Sequence, residues 1–123
     1  MEKMVADKIE NIKRDMQYAM PFEIASAIGD LYYETGMAAL DEKTALECYE
    51  LAMDRYQEAA RTSAPAYIMR NREKFYKAYR LAVGLCIDDE EVEARLQSKL
   101  FKFLKLRDIH YFRSLFDSEP MKK

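Results

Sequence analysis

The residues whose spacing best suits chemistry are basic. Arg70, Lys74 and Lys77 fall at i, i+4 and i+7, and Arg95, Lys99 and Lys102 repeat that spacing. On helices, each set shares one face. Arg72 and Arg80 flank the first set. Two such stripes on successive helices would form one patch. Such a patch suits phosphate backbones, where Lys and Arg displace counterions. It equally suits an acidic peptide held by charge-assisted hydrogen bonds. The same pattern also describes a solvated helix face. Tyr67, Tyr76 and Tyr79 lie nearby. They would stack on bases or sit half-buried in a core. The net charge of −2 argues against general nucleic-acid binding.

Other chemistry has little to stand on. The run Asp88-Asp89-Glu90-Glu91, with Glu93, lacks the glycine and the alternating spacing of a calcium loop. Charging of a helix N-terminus explains it, and no metal site is expected. His110 is the only histidine, and Asp108 two residues before it is its nearest carboxylate in sequence. A nucleophile elbow and a phosphate-binding glycine loop are both missing. Glu47 and Glu50 are expected on an exposed helix face. The reading is therefore of a chain that is not an enzyme and needs no cofactor. Cys48 and Cys86 fall within apolar helical patterns and read as small core residues. The charged N-terminus carries no apolar leader, and no segment approaches a membrane span, so a reducing, cytoplasmic setting is expected.

The elements that must carry these residues read as helices. Three Gly and three Pro are few for 123 residues, half of them hydrophobic; sheets and long loops use more of both. Apolar residues recur at helical spacing in six segments. The first covers about 2–19, with Val5, Ile9, Ile12, Met16 and Ala19 on one stripe. Pro21 opens a second over about 21–35, with Ile24, Ile28, Leu31 and Tyr32 inward and Gly36 as its stop. A third runs to about Arg61, with Asp41 as N-cap and Thr44 with Glu47 as a competing capping box. Its inward face is Ala45, Cys48, Tyr49, Ala52, Tyr56 and Ala59. Ser63 and Pro65 open a fourth, about 65–86, with Ile68, Phe75, Ala78, Ala82 and Leu85 inward. The fifth carries Val92, Leu96, Leu100 and Phe103, and a short sixth covers about 107–117. By length this is one domain, 1–117, followed by a frayed polar tail, 118–123.

Two features hint at internal order. A faint repeat at an offset of 44 residues aligns Pro21, Ile24, Leu31 and Tyr32 with Pro65, Ile68, Phe75 and Tyr76. Charge is also divided: residues 1–62 hold 7 Lys/Arg against 13 Asp/Glu, while residues 63–123 hold 13 against 9. An acidic half and a basic half would let two copies of the chain meet as a homodimer.

Ile28-Gly29, Tyr32, Gly36 and then Ala45, Tyr49 and Ala52 carry a resemblance. Over residues 21–60 the chain resembles a tetratricopeptide-repeat hairpin. That resemblance implies two close antiparallel helices, with Gly29 and Ala45 at the contact and Tyr32 and Tyr49 in the wedge. It also implies non-catalytic binding of a protein or peptide in a groove. The expected fold is all-α, either an antiparallel bundle or a short tetratricopeptide-like right-handed stack of five to six helices. The expected function is a protein-interaction module, an adaptor or a subunit of a larger assembly. Its contact surface would be the basic face of helices four and five, or the groove beside Tyr32 and Tyr49. Tyr33 and Met37, with Leu40, would supply apolar contact near the second turn, and the eight methionines an adaptable lining. The alternative is a small nucleic-acid-binding subunit that uses the same basic stripes.

Overall fold

The computed structural model describes residues 2–61 and 65–104. Those residues form α1 (Glu2–Asp15), α2 (Pro21–Ala38), α3 (Glu42–Arg61), α4 (Pro65–Leu85) and α5 (Glu90–Phe103), with no strand among them. The protein is an all-α bundle. The expected sixth helix, the tail 118–123 and the cap at Ser63 lie outside the described residues.

The helix ends follow local chemistry. α1 stops at Asp15, short of the expected Ala19. Lys13 and Arg14 complement the helix dipole in its last turn. The chain then turns, with the Met16 N–H donating to the Ile12 carbonyl and the Ala19 N–H to the Met16 carbonyl. α2 starts at Pro21 as its sequence dictates. It continues past Gly36, which is no stop: no glycine among the described residues has a positive φ, and the helix closes where the Ala39 N–H meets the Gly36 carbonyl. Asp41 begins α3 by accepting the Thr44 N–H and the Thr44 hydroxyl, each at 2.9 Å. Those two bonds hold the Asp41 carboxyl below its usual range. Thr44 thus spends its hydroxyl proton on Asp41 instead of heading a box with Glu47. Asp89 caps α5 by accepting the Val92 N–H at 3.1 Å.

Glycine sets how closely α2 and α3 approach. A Cβ built on Gly29 would lie 2.6 Å from Tyr56 Cε1, and one on Gly36 would lie 2.8 Å from Tyr49 Cε1. The two glycines are seven residues apart, and so are the two tyrosines. A step forward on α2 is a step back on α3, so the helices are antiparallel, with each tyrosine ring seated in a glycine notch. Tyr49 and Tyr56 are buried at 7% and 2% exposure. The core then continues through Ala52 and Met53 to Phe75, Ala78 and Ala82 of α4 and to Leu96 and Leu100 of α5. Fully buried alanines on both α3 and α4 let those helices touch closely. Phe75 and Phe103 stack at 4.1 Å and 12° where α5 returns along α4.

The polar contacts between hairpins keep a constant separation in sequence. Ser26 meets Asn71, 45 residues on, and Asp30 meets Lys74, 44 on. Glu50 meets Arg95 and Asp54 meets Lys99, each 45 on. A constant difference means parallel helices. α4 therefore lies parallel beside α2, and α5 parallel beside α3, in two layers. α1 leads into this stack and buries Val5 against it.

Candidate functional site

The middle of the seam between α2 and α4 is polar. Asn71, only 1% exposed, donates from Nδ2 to the Tyr67 carbonyl at 2.9 Å and accepts the Ser26 hydroxyl at 3.0 Å. Lys74 Nζ donates to Ser26 Oγ at 3.3 Å and sits 3.1 Å from both Asp30 oxygens. Asp30 also accepts the Tyr56 hydroxyl at 2.7 Å. Burial first, and then the Asp30 carboxylate, push the Tyr56 phenol far above its ordinary value. One relay thus joins α3, α2 and α4. A buried Asn left without partners would cost roughly 1–3 kcal/mol, so the relay also fixes how the hairpins sit together.

Two depressions flank the Lys74–Asp30 bridge. One, of about 290 Å³, is bounded by Phe22, Ser26, Tyr67 and Arg70. Phe22 and Tyr67 meet there at 5.2 Å and 56°, with the Arg70 guanidinium 5.4 Å from the Tyr67 ring centre. The other is bounded by Tyr33, Tyr56 and Lys77 and continues past Leu81. Tyr33 leans on Tyr49 at 5.8 Å, and Met37, one turn further along α2, is 64% exposed. Four of the residues expected from sequence, Arg70, Lys74, Lys77 and Tyr33, therefore line the depressions along this seam, and Met37 lines none of those described. Arg70 and Lys77 make no ion pair among the described residues.

The second basic stripe goes elsewhere. Arg95 grips Glu50 with two parallel bonds, Nε to Oε2 at 2.9 Å and the terminal nitrogen to Oε1 at 2.8 Å. Lys99 Nζ lies 2.9 Å from Glu50 and 3.0 Å from Asp54. The Arg95 bonds, with help from Lys99, hold the Glu50 carboxyl below its ordinary range. Burial works against the Lys99 charge, but Glu50 and Asp54 outweigh it and raise its value. Glu50 is thus no exposed carboxylate: its side chain is 14% exposed. Lys102 is exposed on α5. The two stripes do not form the single patch expected of them, because the α4 stripe faces α2 while the α5 stripe faces α3. The acidic half does meet the basic half, but within one chain.

One more expectation is redirected. Tyr49 is buried in the Gly36 notch, while Tyr32 lines a cavity beside α1. Asp89, within the acidic run, serves as a helix cap. Asp108 and His110 lie outside the described residues. What sequence reasoning missed is the set of partners: Ser26, Asp30 and Asn71 in the seam, and Glu50 and Asp54 under α5. The signal for them was present, since each pairs at 44 or 45 residues, close to the offset of the faint repeat.

No helix among the described residues is long and apolar enough to cross a membrane. Comparison with known proteins gives no matching family model, no matching curated protein and no matching solved structure.

Proposed function

We propose that this chain is a non-catalytic protein-interaction module, an adaptor or a subunit of a larger assembly, and that its contact surface is the α2/α4 groove. The observation that carries this reading is the pair Arg70 and Lys77. These two exposed cations stand on either side of a bridge that already neutralises Lys74, with aromatic walls at Phe22, Tyr67 and Tyr33. Two helix turns separate them along α4, about 10 Å at 1.5 Å per residue. Exposed cations beside apolar rings suit acidic side chains on a partner peptide. The repeat-like order of the hairpins supports the reading further, because stacked hairpins present an extended surface made of alternate helices. Arg95 and Lys99 take no part, being committed to α3, and the reading needs no second copy of the chain.

Selection of a random dodecapeptide display library on the full chain tests it. The expected outcome is a set of acid-enriched peptides whose binding falls at least tenfold with Arg70→Glu or Lys77→Glu and is unchanged by Lys102→Glu. Peptides that bind equally well to all of these variants would place the surface elsewhere. Tight, steeply salt-dependent binding of a labelled oligothymidine, lost with Lys77→Glu, would replace a protein partner with a nucleic acid.

A further inference from the structure

A further depression, separate from those along the α2/α4 seam, lies between α1 and the α2/α3 hairpin. Its volume is about 220 Å³, and its apolar walls are Val5, Ala6 and Ile9 of α1, Tyr32 of α2, and Cys48 and Leu51 of α3. An apolar cavity of roughly 150 Å³ is enough to take up benzene, so this one has room for a six-membered ring and a short arm.

The polar groups that line it are selective in kind. Glu47 and Thr44 sit one turn apart on the α3 side. The Thr44 hydroxyl proton is committed to Asp41, which leaves its oxygen free to accept. Glu47 is exposed and makes no ion pair among the described residues. The polar side of the cavity therefore offers acceptors, a carboxylate and a hydroxyl oxygen, in a cavity that an aromatic side chain also lines. No Lys or Arg lines it. A carboxylate next to an aromatic wall is what an ammonium group needs, through a charge-assisted hydrogen bond and attraction to the ring. A carboxylate ligand would meet only repulsion from Glu47.

We infer that this cavity binds a small primary amine with an apolar ring, the ring between α1 and Leu51 and the ammonium on Glu47 and Thr44. α1 supplies one wall and holds the stack with little buried surface, Val5 being its buried side chain. Occupancy would then fasten α1 to α3.

Cys48 makes the inference measurable, because its buried thiol lines the cavity while Cys86 lies at the far end of α4. The experiment modifies the full chain with a thiol reagent and follows each cysteine separately by mass spectrometry, with and without 2-phenylethylammonium. Modification of Cys48 is expected to slow at least threefold at millimolar amine, with Cys86 unchanged. The carboxylate counterpart, 3-phenylpropionate, is expected to give no protection, and Glu47→Gln to remove most of the protection by the amine. No protection of Cys48, equal protection by the carboxylate, or full protection in Glu47→Gln would each overturn the inference.

Discussion

Gly29→Ala should destabilise this protein even though alanine is the better helix former. The built Cβ falls 2.6 Å from Tyr56 Cε1 and 2.8 Å from Cδ1. Carbon atoms prefer about 3.5–4.0 Å, so the ring must retreat by roughly 1 Å. Tyr56 is packed into the core at 2% exposure, and its hydroxyl is tied to Asp30 at 2.7 Å, so the shift disturbs both. Overpacking of this kind costs roughly 2 kcal/mol. A shift of that size also strains the bond to Asp30, worth about 1 kcal/mol. Against these stands a gain of roughly 1 kcal/mol in helix propensity. The net expectation is a loss of about 2 kcal/mol, or roughly 8 °C in Tm for a chain of this length. Gly84→Ala is the control. Nothing lies within 4 Å of its built Cβ, so it should gain up to about 1 kcal/mol. Thermal and urea unfolding followed by circular dichroism measure both. If Gly29→Ala proves as stable as Gly84→Ala, the glycine notch does not set the approach of α2 and α3, and the reasoning fails.

Other perturbations test other parts of the structure. Glu50→Gln should cost about 1–2 kcal/mol at neutral pH, because two cations lose the charge that binds them; urea midpoints measure it. The pH dependence has a definite sign. The folded Glu50 carboxyl lies below its ordinary 4.5, so the unfolded chain takes up the proton first as pH falls. Its contribution is therefore complete above 4.5 and lost below it as pH falls through the folded value. The Gln variant should show a correspondingly flatter acid limb. Asp89→Ala should cost about 1 kcal/mol through loss of the α5 cap, seen as faster amide exchange in the first turn of that helix. Asn71→Leu should lower stability and loosen the hairpin contact, because Ser26 and Lys74 lose part of their shared relay; exchange protection along the α2/α4 seam is the readout.

How much of this was legible in the sequence depended on whether a residue's role was local. Most of the inward face of α3 was readable, because Ala45, Cys48, Tyr49, Ala52, Tyr56 and Ala59 recur at helical spacing and all are buried; Met53, buried beside them, was not among the residues expected there. Asp41 was readable as a cap because the cap bond reaches only three residues ahead. Gly36 was not, since a glycine near a helix end reads locally as a stop, and only the ring of Tyr49 on the facing helix explains it as a notch. The basic stripes fall between these cases. Spacing showed that Arg95 and Lys99 share a face, but a face has no partner until the helices are arranged.

The arrangement follows from combining two observations that are weak separately. The faint repeat at 44 residues is degenerate, with Glu73 standing where Gly29 would recur. The division of charge between the two halves has many explanations. Taken together they restrict each other, because hairpins stacked at a step of about 44 residues put each acidic position of the first beside a position of the second near that offset. Asp30, Glu50 and Asp54 then fall opposite Lys74, Arg95 and Lys99, as the structure has them. Arg70 breaks the pattern informatively. Its counterpart 44 residues earlier is Ser26, whose hydroxyl already serves Asn71. Lys77 stands opposite Tyr33 at the same offset and meets a ring, not a carboxylate. Arg70 and Lys77, to which the stacking register gives no acidic counterpart in the first hairpin, both flank the groove, which is why the proposed contact surface rests on them.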